Sequence, residues 1–109
     1  MATTYKVLGQ SKPTATTDTD LYTVPSSTNT VASTINVVNL NASADTVRIA
    51  VRPNGASIAD QHYLVYDLAL SGKSTFTFTA GITMDAADVV TVYSANGYSA
   101  FSIFGSEVA

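Results

Sequence analysis

Val47-Arg48-Ile49-Ala50-Val51-Arg52 alternates apolar and polar or small side chains without a break, and Thr75-Phe76-Thr77-Phe78-Thr79 does the same. A repeat of two places one set of side chains on one face of an extended strand and the other set on the opposite face. Each stretch therefore reads as a strand with one buried and one solvated face. Working outward, similar segments fall at residues 4–9, 20–24 (ended by Pro25), 30–41, 62–70, 89–94 and 98–104. Turn residues separate them at intervals of roughly 8–12 residues, the spacing of a sandwich. No strong helix and no internal repeat interrupts the pattern. The fold class is all-β: one small antiparallel β-sandwich of about eight strands, jelly-roll or immunoglobulin-like in winding.

Finer expectations follow from parity. In 30–41 the apolar residues change parity near Val37 and Val38, which places a bulge there or buries both faces. Leu64, Tyr66, Leu68 and Leu70 share one face, leaving Tyr63, Val65 and Asp67 on the other. Pro53-Asn54-Gly55 opens a loop that holds one helical turn. Ile82 and Met84 read as isolated apolar positions. Asn96-Gly97 accepts two positive φ angles and is the strongest local hairpin signal. Gln10 to Asp20 is a polar run, so residues 1–20 read as a loop following a short strand or as an N-terminal extended arm. An arm would cost about 1–2 kcal/mol of backbone entropy per ordered residue and would need a partner surface.

At 109 residues the chain reads as a single domain, 1–109. A domain of this size buries roughly 65% of its unfolded surface, enough for one core without staples. There is no cysteine, which excludes disulfides and thiolate metal sites. The net charge is −3, and five basic residues are spread over the whole length. Nucleic-acid binders carry a basic stripe, so DNA and RNA are not expected partners. Residues 1–7 lack the basic and apolar regions of a signal peptide, and no stretch is long enough to span a bilayer, so no membrane partner is expected.

Reactive side chains are few. His62 is the only histidine and opens a strand, which reads as a surface or subunit-contact position. Asp85 and Asp88 stand three apart in a turn, spaced poorly for calcium and well for capping backbone amides. Arg48 and Arg52 share a strand face and would form a basic ridge if that face is outward. Tyr63, Tyr93 and Tyr98 combine apolar area with a polar tip and suit a core rim, an interface or a sugar platform. The candidate interface residues are therefore Arg48, Arg52, Tyr63, Tyr93 and Tyr98. No phosphate loop, nucleophile elbow or metal-ligand cluster is present, so no catalytic residue, cofactor or metal is expected.

Several stretches carry a family likeness: Tyr5-Lys6-Val7-Leu8-Gly9-Gln10, Leu21-Tyr22-Thr23-Val24-Pro25 with the strand from Val31 to Asn39, Arg48-Ile49-Ala50-Val51-Arg52-Pro53, and Ile82 to Tyr93 continuing to Phe101-Ser102-Ile103-Phe104-Gly105-Ser106-Glu107. Together they resemble small structural proteins of tailed bacteriophages, especially those of cyanobacteria. The resemblance implies a non-enzymatic virion component. It implies a capsid decoration (cement) protein made in the host cytoplasm and carried on the outer capsid surface, with a tail, baseplate or fibre-attachment component as the alternative. The expected partners are capsid or tail proteins and further copies of the chain, as a homotrimer. A small carbohydrate-binding module is the reading from another class.

Overall fold

The computed structural model describes residues 2–109. Nine strands are present among them: β1 (Thr3–Ser11), β2 (Thr19–Thr23), β3 (Asn29–Asn39), β4 (Asp45–Arg52), β5 (Tyr63–Leu70), β6 (Thr75–Phe78), β7 (Ile82–Met84), β8 (Val89–Ser94) and β9 (Ser99–Val108). They form two sheets in which every pairing is antiparallel. One has the order β1-β9-β3-β6, with β7 also on β3; the other has the order β2-β8-β4-β5.

The winding follows from a long hairpin rolled over itself. β1 pairs with β9, β2 with β8, β3 with β7 and β6, and β4 with β5. Successive rungs fall into alternate sheets, and rolling then brings β9 beside β3 and β8 beside β4. This is the jelly roll of two Greek keys, and it replaces the immunoglobulin-like alternative. β6 and β7 both lie on β3 and act as one interrupted strand, so Ile82 and Met84 belong to a strand rather than standing alone.

The core lies between the sheets. Ile35, Val37, Phe101 and Ile103 from one sheet meet Val47, Ile49, Val90 and Val92 from the other, all essentially without exposure. Each such side chain contributes about 1.5–3 kcal/mol relative to exposure. Phe76 and Phe78 lean against this cluster from β6, as the Thr-Phe alternation predicts.

Five bulges interrupt the strands, at Leu8 in β1, at Leu21 in β2, once in β3 and twice in β5, and the last three decide which residues of β3 and β5 face inward. In β3 the register shifts between Ala32 and Thr34, so the bulge is at Ser33 and not at Val37–Val38. Ala32 lies inward on one side of it, and Ile35, Val37 and Asn39 lie inward on the other. β5 is shifted twice: Val47 and Ile49 oppose Leu68 and Val65, and Ile49 and Ala50 oppose Val65 and Tyr63. The extra residues are Leu64 in one step and one from the Tyr66–Asp67 pair in the other, where Asp67 takes φ 51°. The expected apolar face of β5 is thereby split: Leu70 and Val65 are buried, while Leu64 and Tyr66 are exposed.

Asn96-Gly97 does not close a hairpin. β8 and β9 belong to different sheets, and the turn carries the chain across the sandwich, with Gly97 at φ 71°. Asp45 holds this crossing. Its buried carboxylate accepts from the backbone of Thr46 at 2.8 Å and of Asn96 at 3.0 Å, from Ser99 Oγ at 2.6 Å, and from Ser94 Oγ. Burial alone would raise its pKa, but the four donors outweigh it and hold the carboxyl below the usual aspartate value. Asn39 plays a parallel part nearby: its amide donates to the carbonyls of Ser43, Leu70 and Ser71 and accepts from the Asn41 N–H.

Residues 2–20 lie on their own sandwich. β1 runs along β9, Pro13 is buried, and the Thr16 N–H bonds the Ser94 carbonyl. Ala2 and Ala109 exchange both backbone hydrogen bonds, at 2.9 and 3.0 Å.

Candidate functional site

The outer face of the β2-β8-β4-β5 sheet gathers most of the residues expected at an interface. Arg48 on β4 stands opposite Tyr93 on β8. Its guanidinium carbon is 4.4 Å from the ring centroids of both Tyr93 and Tyr66. Its Nε donates to Asp67 Oδ1 at 2.5 Å, and this bond, with the rings around it, pushes the guanidinium pKa further up. Tyr63 and Tyr66 were expected on opposite faces. The extra residue at Leu64 puts them on the same one, with centroids 4.7 Å apart and planes at 77°. Such edge-to-face pairs contribute about 0.5–1.5 kcal/mol beyond burial.

Arg52 lies on the same face, two strand repeats along β4 from Arg48. It donates to Asp20 Oδ1 at 3.0 Å, to Thr91 Oγ1 at 3.0 Å, and to the carbonyls of Gly55 and Ala56. Both arginines do point outward, but each is paired with a carboxylate, so the expected basic ridge is neutralised. Tyr98 stands apart: it precedes β9 of the other sheet, and its carbonyl accepts from Leu40.

The β4–β5 link borders this face with two 3-10 turns, Pro53–Gly55 and Asp60–His62. His62 is buried rather than superficial, and its Nδ1 accepts the Ala59 N–H at 3.0 Å. That bond commits Nδ1 to shaping the turn. Asp88 accepts from the Asn54 and Asp85 backbones, the capping chemistry expected of that acidic turn. Asp60, Tyr63 and Tyr66 line an open depression of about 460 Å³. No group of three His, Cys, Asp or Glu side chains placed to hold a metal occurs among the described residues.

The outer face of the other sheet is different. Tyr5 and Val31 flank Ser106, and Val7 stands beside Phe104, so an apolar strip runs from β1 across β9 to β3. Tyr5 is 83% exposed, and β1 is the edge of its sheet. Beneath it, Tyr22 is buried with its hydroxyl 2.8 Å from Thr30 Oγ1 and donating to Glu107 at 2.5 Å. Burial, then the Glu107 carboxylate, pushes the phenol up to about 12. Sequence reasoning passed over Tyr5, Val7 and Tyr66 as interface residues. Their exposure depends on the neighbouring strands, and no local pattern marks it.

The molecule is thus a jelly-roll sandwich with two chemically distinct outer faces, one aromatic and charge-paired, the other apolar beside a free edge. A scan of protein-family models, a search of curated proteins and a search of solved structures each found no match to this chain. No helix among the described residues is long and apolar enough to cross a membrane.

Proposed function

We propose that this chain is a non-enzymatic structural protein of a bacteriophage virion, a capsid decoration protein that clamps shell subunits through protein–protein contacts. One observation carries the reading beyond the sequence likeness. The apolar strip of Tyr5, Val7, Val31 and Phe104 lies beside the open edge of β1, with only Lys6 charged along that strand. Long unpaired edges template strand pairing, and natural proteins cover or blunt them. A neighbouring subunit that adds a strand to the regular Thr3–Val7 part of β1, ahead of its bulge at Leu8, and packs on the strip would cover both, and threefold packing of copies on a shell supplies such a neighbour. The charged and polar groups fit this role. His62, Asp45, Arg48 and Arg52 are engaged in bonds that hold the fold. Jelly rolls recur in viral shells and in sugar-binding domains alike, so the winding supports the reading by analogy only.

Cryo-electron microscopy of purified particles tests it. The expected result is density for this sandwich on the outer capsid at symmetric positions, with β1 at a subunit contact. Density on the tail alone would transfer the role to a tail, baseplate or fibre-attachment component. Absence of the chain from the particle would end the structural reading.

A further inference from the structure

We propose that Asp60, Tyr63 and Tyr66 form a binding site for a neutral pyranose sugar. The site lies on the outer face of the β2-β8-β4-β5 sheet, opposite the apolar strip, and the inference stands independently of the virion role. Two tyrosine planes at 77° border a depression of about 460 Å³, and Asp60 lines it with them. A pyranose ring offers apolar C–H faces and a rim of hydroxyls. The aromatic surface matches the former, and the carboxylate with the two phenol groups matches the latter.

The walls are held before any ligand arrives. The Arg48 guanidinium rests on the Tyr66 ring and is fixed by Asp67 on one side and Tyr93 on the other. Preorganisation of this kind reduces the ordering cost of binding. Asp60 is different: its carboxylate takes no hydrogen bond or ion pair from the described residues, so its acceptor sites are open to a ligand.

Other ligand classes fit less well. Arg48 and Arg52 are both committed to carboxylates and no cation lines the depression among the described residues, so a sulfate, phosphate or sialic acid finds no partner there, and Asp60 repels them. A lone ammonium group is far smaller than a depression in the size range of small-molecule sites, and Tyr66 already holds a cation. A peptide strand would need a regular edge, and β5 is shifted in register twice across Tyr63 to Leu68.

The test uses the purified chain. Saturation-transfer NMR against methyl hexopyranosides and a mixed glycan array should show binding to at least one neutral sugar. The Tyr63 and Tyr66 ring protons should be the ones perturbed. Tyr63→Ala and Asp60→Asn should each raise Kd roughly tenfold, a usual consequence of losing a central aromatic or a charged hydrogen-bond partner. Tyr5→Ser, on the opposite face, should leave Kd unchanged, and amide spectra of all three variants should show the fold intact. The proposal is overturned by silence toward every neutral sugar at ~20 mM, where a site of millimolar Kd is mostly filled. It is equally overturned by an unaltered Kd in Tyr63→Ala, by recognition of sulfated or sialylated glycans alone, or by tetramethylammonium binding at these rings in place of sugar.

Discussion

Replacing Asp45 with alanine removes the acceptor from four donors at once. The hydroxyls of Ser94 and Ser99 are fully buried, and the N–H groups of Thr46 and Asn96 point to the same carboxylate. Each stranded buried donor costs about 1–3 kcal/mol. Taking the low end for all four, Asp45→Ala should lose about 4 kcal/mol, an exceptional value for one substitution. In a domain of this size that is a fall in Tm of about 15–25 °C. Asp45→Asn offers a control. Its oxygen can accept both backbone amides, and its NH2 can donate to both serine oxygens once their hydroxyls rotate. Charge assistance is lost and the two serine hydroxyl protons give up their acceptor, so a loss between about 2 kcal/mol and that of Asp45→Ala is expected. The pH dependence carries the sign. The native pKa of Asp45 lies below its unfolded value of about 3.9. The unfolded chain then binds more protons in the acid range, and the contribution is complete above about pH 5 and drains away as pH falls through the native pKa. Urea unfolding at pH 7 and at successively lower pH reads both effects. The reasoning is refuted if Asp45→Ala lies within about 1 kcal/mol of the parent, or if the gap between parent and Asp45→Asn widens on acidification.

The alkaline limb should respond to Tyr22. Its phenol titrates near 12 in the fold and near 10 when unfolded, so its contribution is full below pH ~10 and is lost as pH rises toward 12. Tyr22→Phe should cost about 1–2 kcal/mol at neutral pH and flatten that alkaline decline, measured by denaturant titration across the range. Gly105 lies opposite Ala32, where β3 bulges, and an added Cβ would run into the Val31 carbonyl. Gly105→Ala should therefore destabilise by about 1–3 kcal/mol in calorimetry, while Gly81→Ala meets no neighbouring atom and tests backbone strain alone. Arg48→Ala removes a half-exposed ion pair and two ring contacts, together about 1–2 kcal/mol. It should also free the Tyr66 ring, seen as loss of near-ultraviolet circular dichroism.

The strands that alternate cleanly were legible because their burial is written in their own side chains. Thr75 to Phe78 and Val47 to Arg52 turn the expected faces inward. The bulges were not legible. An extra residue at Ser33 or Leu64 is chosen by what the partner strand presents, and that partner is far away in sequence. One such residue at Leu64 was enough to hide the site, since it moved Tyr63 onto the face of Tyr66. Asn96-Gly97 misled for a similar reason: the dipeptide specifies a reversal and says nothing of whether the next strand pairs with the last. Asp45 carries no mark of its role in the local sequence because its serine partners follow it by 49 and 54 positions.

The paired backbones of Ala2 and Ala109 hold these two residues side by side on the sandwich. A bridge of a few residues would weld the sequence into a ring, and new ends could then be opened in an exposed connection such as Thr79–Gly81. Permuted in this way, the roll would have to begin its winding from a different rung. Comparing the refolding rates of the two versions would show which rung nucleates the sandwich.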